Sequence, residues 1–360
     1  MTSTHPYPRP MPTGAPPARH RRRARRLGPA LAALALLGAL TACGGGSGGD
    51  DEQTLVLYSG RDEALVQPII DDFEEASGIT VDVRYGNSAE MGAQLLEEGR
   101  STPAEVFYSQ EVGAVGVLEH NDLLGTLPQS LLDRVESRFR PAAGRHWVGV
   151  TGRSRVIVYN PDLVDADRIP ETVGDLTDPY YDGMIAWAPG NASFQSFVTA
   201  FRVAKGEDAA RTWLEGIQAN DPLVFENNTE ILDSVENGDI AIGLINHYYY
   251  ARATVERGEM TSKLIFPGGD DPGGLVNATA VAILGGAQDH PEALAFVEYL
   301  LSDEGQAHFV ETTQEYPLVA GIDGPEGVPP LDSLEGPQLD LTDLESLEET
   351  QALLTDLGIL

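Results

Sequence analysis

The chain is 360 residues long and carries 23 Lys and Arg against 56 Asp and Glu, a formal net charge of −33. Such a surface repels nucleic acid and anionic lipid and concentrates cations, so no nucleic-acid partner is expected. Its single cysteine, Cys43, excludes an intrachain disulfide, and the fold must rest on packed cores.

Arg19, Arg21, Arg22, Arg23, Arg25 and Arg26 precede an apolar run from Leu27 to Leu40. The run is too short to span a membrane and has the proportions of a signal h-region. Leu40-Thr41-Ala42-Cys43 closes it and is similar to a bacterial lipobox, which makes residues 1–42 a lipoprotein signal peptide and Cys43 the lipidated residue. An ordinary signal peptide with an incidental cysteine is the plainer alternative, and the position of the one cysteine argues against it. Arg25-Arg26-Leu27 is compatible with twin-arginine export, although basic n-regions often hold such pairs. Residues 43–53, mostly Gly, Ser and Asp, read as the anchor and a flexible linker. No later apolar stretch reaches spanning length, so the protein is expected outside the cytoplasm, in the periplasm or on the outer face, held to the cell membrane by lipid. Removing residues 1–42 takes away seven arginines and no acid, leaving about 318 residues with a net charge of about −40, enough for two domains.

From Leu55 strands and helices alternate. Leu55 to Ser59 reads as a strand and Asp62 to Ser77 as a helix with Leu65, Ile69, Ile70 and Phe73 on one face, stopped by Gly78. Pro68 inside it removes one backbone donor. Ile79 to Tyr85 alternates as a strand, Ser88 to Glu98 is helical, and Val106 to Ser109 is a third strand. This run predicts a parallel sheet with helices on both faces, an α/β architecture. A second series follows: strands at Val156 to Asn160, Met184 to Ala188 and Ile240 to Leu244, and helices from Phe194, over Asp208 to Gln218, and over Thr229 to Glu236 with Asn228 as N-cap. Pro291 opens a long amphipathic helix to about Phe309, and Leu341 to Leu357 reads as a closing helix anchored by Leu344, Leu347 and Leu354.

The sharpest local feature is Tyr248-Tyr249-Tyr250, just after a strand, where open α/β sheets bind their ligands. Phenolates are hard anionic oxygens suited to a trivalent cation, which must itself supply the deprotonation energy because a free phenol has a pKa of about 10. Neutral rings could equally stack on a sugar or enclose a polyamine, or simply pack. Asp62 offers either a hard oxygen or a helix N-cap.

Tyr58-Ser59-Gly60-Arg61-Asp62, Val106-Phe107-Tyr108-Ser109-Gln110, Gly152-Arg153-Ser154-Arg155-Val156, Asn246-His247-Tyr248-Tyr249 and Glu315-Tyr316-Pro317-Leu318 together resemble the bacterial periplasmic ferric-binding proteins, the capture subunits of iron ABC importers. The resemblance runs from about Leu55 to the C-terminus. It implies a two-lobed type 2 periplasmic binding protein fold with a hinge between the lobes, the N-lobe being residues 54–154 plus 279–329 and the C-lobe 155–278 plus 330–360. It implies that Tyr248 and Tyr249 bind Fe(III). The family's histidine ligand falls at Asp62 and its glutamate at Gln110, two departures. Asp62 remains a hard donor, Gln110 is a poor one, and Glu111 beside it would face another way.

The resemblance also implies a synergistic anion such as phosphate or carbonate. Its holders would be Asn191, Ala192, Ser193, Asn228 and Asn246, with Arg153, or alternatively Arg155, as a cationic contact. Independently, these small polar residues sit at strand-to-helix junctions where free N–H groups favour anions. The expected function is ferric iron capture in an interlobe cleft by a monomeric receptor that delivers to an ABC transporter permease. The rival reading is a receptor for a polyamine, thiamine or sugar. An enzyme on this fold lacks a cysteine nucleophile, a His-Glu metal helix or a serine triad, and His247 alone is more often a neighbour than a base.

Overall fold

In a computed structural model, which describes residues 53–360, the first half follows the predicted alternation: β1 (Thr54–Ser59), α1 (Glu63–Ser77), β2 (Thr80–Tyr85), α2 (Ser88–Glu98), β3 (Val106–Ser109) and α3 (Val112–His120). The predicted signal peptide and Cys43 lie outside the described residues. β1 runs parallel between β2 and β3, and Leu55 and Leu57 share a core with Val66, Ile69, Ile70 and Phe73 of α1. Gly78 takes the left-handed conformation and ends α1, as expected. Pro68 lies on the exposed side, and α1 continues through it.

After α4 (Gln129–Leu132) comes β4 (Val148–Tyr159), twelve residues long where the sequence suggested Val156 to Asn160. The stretch before Val156 is Val-Gly-Val-Thr-Gly-Arg-Ser-Arg, too polar to read as an apolar run. The second lobe then adds β5 (Ile185–Trp187), α5 (Ala192–Lys205), α6 (Glu207–Ala219), β6 (Leu223–Val224), α7 (Asn228–Glu236), β7 (Ile242–Asn246), α8 (His247–Arg257) and β8 (Lys263–Ile265). β9 (Val276–Ile283) returns to the first sheet, followed by α9 (Pro291–Leu300), α10 (Asp303–Thr313), β10 (Tyr316–Pro317) and α11 (Leu347–Asp356).

The strand order is β2-β1-β3-β9-β4-β7-β5-β6, with β8 and β10 also on β4. The expected parallel sheet is therefore mixed: β9 is antiparallel to both β3 and β4. β4 leaves one sheet and enters the other, pairing through Arg153 with Asn277 of β9 and through Arg155 with Asn246 of β7. Alternation along its far half sends Ile157 to the core with α5 and α6, and Val156 and Val158 to the core with α7. Two lobes thus share one continuous crossing strand.

Two predicted helices are interrupted. The one from Pro291 breaks at Leu301–Ser302, because Ser302 Oγ accepts the Gly305 N–H at 3.0 Å and caps a new helix, α10. The closing helix is a 3₁₀ turn, Leu341–Glu345, followed by α11. Leu341 and Leu344 pack into the first lobe's core and Leu353 and Leu354 into the second's, so residues 330–360, expected in the C-lobe, serve both. Glycines on α3 permit this, since a Cβ at Gly113 would stand 2.3 Å from the Leu344 carbonyl oxygen.

Candidate metal and anion site

Alternate residues of β4 share a face, so Thr151, Arg153 and Arg155 point the same way, and all three are buried. Opposite Thr151 lies Glu315, which precedes β10. Both guanidinium nitrogens Nη1 and Nη2 of Arg61 donate to it at 3.0 Å, and Thr151 and Thr313 hydroxyls donate at 3.1 Å. Burial opposes the charge on Glu315, but Arg61 and then Arg153 hold its carboxyl below the usual range. Arg153 is committed to carboxylates on both sides: Glu111 Oε1 at 3.1 Å and Glu315 Oε1 at 3.8 Å.

β7 delivers Asn246 to the head of α8, whose first residues are His247, Tyr248 and Tyr249. The two tyrosine rings stack with centroids 4.3 Å apart and planes at 29°. Tyr248 is buried and Tyr249 half-buried. Burial and the Tyr249 phenol push Tyr248 well above the ordinary phenol range, and Arg153 pulls the other way. A Tyr248 phenolate therefore needs a cation to compensate it. Tyr250 turns aside and donates to the Ser262 carbonyl at 2.9 Å. His247 lies flat on Tyr316, centroids 4.3 Å apart, and its Nδ1 accepts the Ser154 N–H at 3.1 Å, which puts its proton on Nε2. Burial pushes this imidazole down to about 4, so it is neutral.

Asp62 and Gln110 stand beyond the carboxyl ends of β1 and β3, as Tyr248 does beyond β7. Asp62 occupies the N-cap position of α1 but caps nothing; its exposed carboxylate has no hydrogen bond or ion pair to a described residue. Gln110 is fixed through its backbone, donating to Ser88 Oγ at 2.9 Å and accepting from Arg153, while its amide side chain has no partner among the described residues. The Glu111 side chain, beside it, is buried and accepts from Ser196 Oγ at 3.0 Å. Among the described residues no three His, Cys, Asp or Glu side chains gather as a metal cluster, so a hard-cation site here must draw on the phenols.

The junction residues do converge, with two differences from expectation. Asn227, not Asn228, caps α7, its side chain accepting the Glu230 N–H at 3.0 Å. That frees Asn228, fully buried, to reach Ser193 Oγ at 3.2 Å and Asn191 Oδ1 at 3.4 Å. Asn191 caps α5 through the Ser193 N–H at 3.0 Å, with Ala192 opening the helix. The second difference concerns the cation. Arg153 is occupied, whereas Arg155 has no carboxylate partner and donates to Ser193 Oγ and Asn228 Oδ1 at 3.4 Å each. Burial pushes Arg155 down to about 9, against the opposing pull of Tyr249 and Glu111, and its Nε has no partner. Asn246, its register partner, offers an unengaged amide in the small cavity that Arg155, Ser193 and Asn277 also line. Alternation along Arg153-Ser154-Arg155 put both arginines on one face, but only the fold shows which is neutralised.

Residues 101–333 match the family model described as bacterial extracellular solute-binding protein. The chain is 33% identical over 308 residues to a major ferric iron-binding protein of Neisseria meningitidis serogroup B, covering 85% of this chain and 93% of that one. It is 31% identical over 313 residues to an Fe(3+)-binding periplasmic protein of Serratia marcescens, covering 86% and 91%. The crystal structure of iron-bound HitA from Pseudomonas aeruginosa superposes with a TM-score of 0.78 at 34% identity, over 85% of this chain and 99% of that one.

Proposed function

Because this chain belongs to the ferric-binding branch of the bacterial extracellular solute-binding proteins, we propose that it captures ferric iron between its lobes and delivers it to an ABC importer. The fold is the two-lobed type 2 periplasmic binding protein fold. The observation that carries the cargo assignment is the stacked Tyr248–Tyr249 pair at the end of β7, with Tyr248 held as a phenol that only a strong cation can deprotonate.

In this reading Tyr248 and Tyr249 supply two phenolates and Asp62 a carboxylate, three negative charges against Fe³⁺. The free side chain of Asp62 supports its place in the set, and Gln110 is at most a neutral fourth donor. A synergistic anion, phosphate or carbonate, sits against Arg155, Ser193, Asn191, Ala192, Asn228 and Asn246; the unpaired guanidinium supports Arg155 over Arg153 as its counter-ion. Closure about β4 and β9 brings the lobes over the metal, and reopening against the permease releases it.

The protein works outside the cytoplasm, as its relatives do. We further propose that Cys43 carries the lipid anchor, that the receptor is a monomer and that it performs no catalysis. Purified protein loaded with ferric citrate should show a tyrosinate-to-iron visible band and one iron per chain by elemental analysis. Loading that leaves the protein colourless would overturn the assignment and favour an organic cargo stacked on the tyrosines.

A further inference from the structure

Glu111 is not in the ligand set, yet its carboxylate meets side chains of β4, β9 and α5. It stands at the head of α3, in the first lobe, and is only 8% exposed. Its side chain does not cap the helix it precedes, and its own N–H is taken by Ser109 Oγ at 3.2 Å, so nothing in α3 calls for a carboxylate here. Its Oε2 instead accepts from Ser196 Oγ at 3.0 Å and from Asn277 Nδ2, while Oε1 lies 3.1 Å from Arg153 Nη2. Ser196 belongs to α5, whose phenylalanines are buried in the second lobe. Asn277 and Arg153 are register partners on β9 and β4, next to the point where β4 passes between sheets.

The four groups are therefore not equivalent in a hinge motion. Arg153 and Asn277 lie close to the crossing and travel little relative to Glu111. Ser196 rides on α5 and must leave Glu111 when the lobes part. A buried hydrogen bond to a carboxyl oxygen opposes that separation.

We propose that Glu111 is an interlobe clasp: a positioning residue in the first lobe that grips Ser196 of the second and so sets the rate at which the closed protein lets its cargo go. This rests on the proposed capture function, and it adds a residue that governs release without touching the metal. Arg153 and Asn277 hold the carboxylate aimed at Ser196.

The test uses the full exported protein carrying Ser196→Ala, Glu111→Gln or both. Release is followed as loss of the visible iron band on adding excess EDTA, and the shape of the iron-free protein by small-angle scattering. Ser196→Ala is expected to release iron about tenfold faster, a loss of one buried hydrogen bond, with the band maximum unmoved. Glu111→Gln should do the same, the double variant should be no faster than Glu111→Gln alone, and iron-free Ser196→Ala should have a larger radius of gyration. Parental release from Ser196→Ala, full additivity in the double variant, or a shifted band in Glu111→Gln would overturn the clasp, the last because it would make Glu111 a ligand. If the parent takes up no iron, the capture reading falls and the scattering comparison alone decides the clasp. If Glu111→Gln does not fold, Ser196→Ala decides it.

Discussion

Arg61 and Glu315, 254 positions apart in sequence, meet as a two-pronged ion pair at 3.0 Å with both side chains fully buried. The pair ties the turn after β1 to the residue before β10; Thr151 and Thr313 also donate to Glu315, and Tyr108 accepts from Arg61. Removing one partner strands a buried charge. Glu315→Leu should therefore destabilise the protein by about 3–5 kcal/mol, and Arg61→Met with Glu315→Leu should recover most of that loss. Urea denaturation of the single and double variants measures both numbers.

The phenol pair makes a spectroscopic prediction. Tyr248→Phe and Tyr249→Phe should each abolish the visible band with ferric citrate, while thermal stability changes by only about 1 kcal/mol, since the stacked rings remain. Full colour in both variants would reject the site.

Iron retention should fall steeply with acid. The Tyr248 phenol is raised in the metal-free protein, so binding iron expels its proton, and lowering the pH favours the protonated, metal-free form. With two phenols displaced, affinity should drop by up to about a hundredfold per pH unit. A titration of the visible band from pH 7 to pH 4 checks this, and a band unchanged across that range would contradict it.

Arg155 and Arg153 should behave differently towards anions. Arg155→Gln is expected to make iron affinity independent of added phosphate, because it removes the one guanidinium in the cavity without a carboxylate partner. Arg153→Gln should instead lower stability by about 3 kcal/mol, by leaving Glu111 and Glu315 under-compensated. Competition titrations with and without phosphate separate the two.

His247 supplies an acid-sensitive term in stability. Its folded value, pushed down to about 4 by burial, lies below the unfolded value near 6.5, so the unfolded chain takes up the proton first as pH falls. Stability from this residue is complete above pH 6.5 and declines towards pH 4, by up to about 3 kcal/mol. His247→Asn keeps an acceptor for the Ser154 N–H and should flatten melting temperature against pH over that window.

Much of the local order was legible because it is local. Leu65, Ile69, Ile70 and Phe73 at helical spacing, Gly78 as a stop and the apolar strand before Tyr58 each follow from a few neighbouring residues. β9 and the first half of β4 escaped, because they are strands of small and polar residues whose reason to be extended is the strand beside them. The break at Ser302 escaped for the opposite reason: the apolar pattern runs through it, and a single hydroxyl on the Gly305 N–H decides.

The sequence by itself determined the acidic composition, the α/β class and the tyrosines beyond a strand end, since each is a property of composition or short-range spacing. Tertiary structure alone decided that Asn227 and not Asn228 is the cap, that Arg153 is paired with carboxylates while Arg155 meets only neutral acceptors, and that Glu111 reaches Ser196. Apart from the local cap, those outcomes turn on which charges and amides meet once separate segments are packed together, as Glu111 and Ser196 are, 85 positions apart. Buried electrostatics is a property of that meeting, because a charge's cost depends on the partner the fold brings to it.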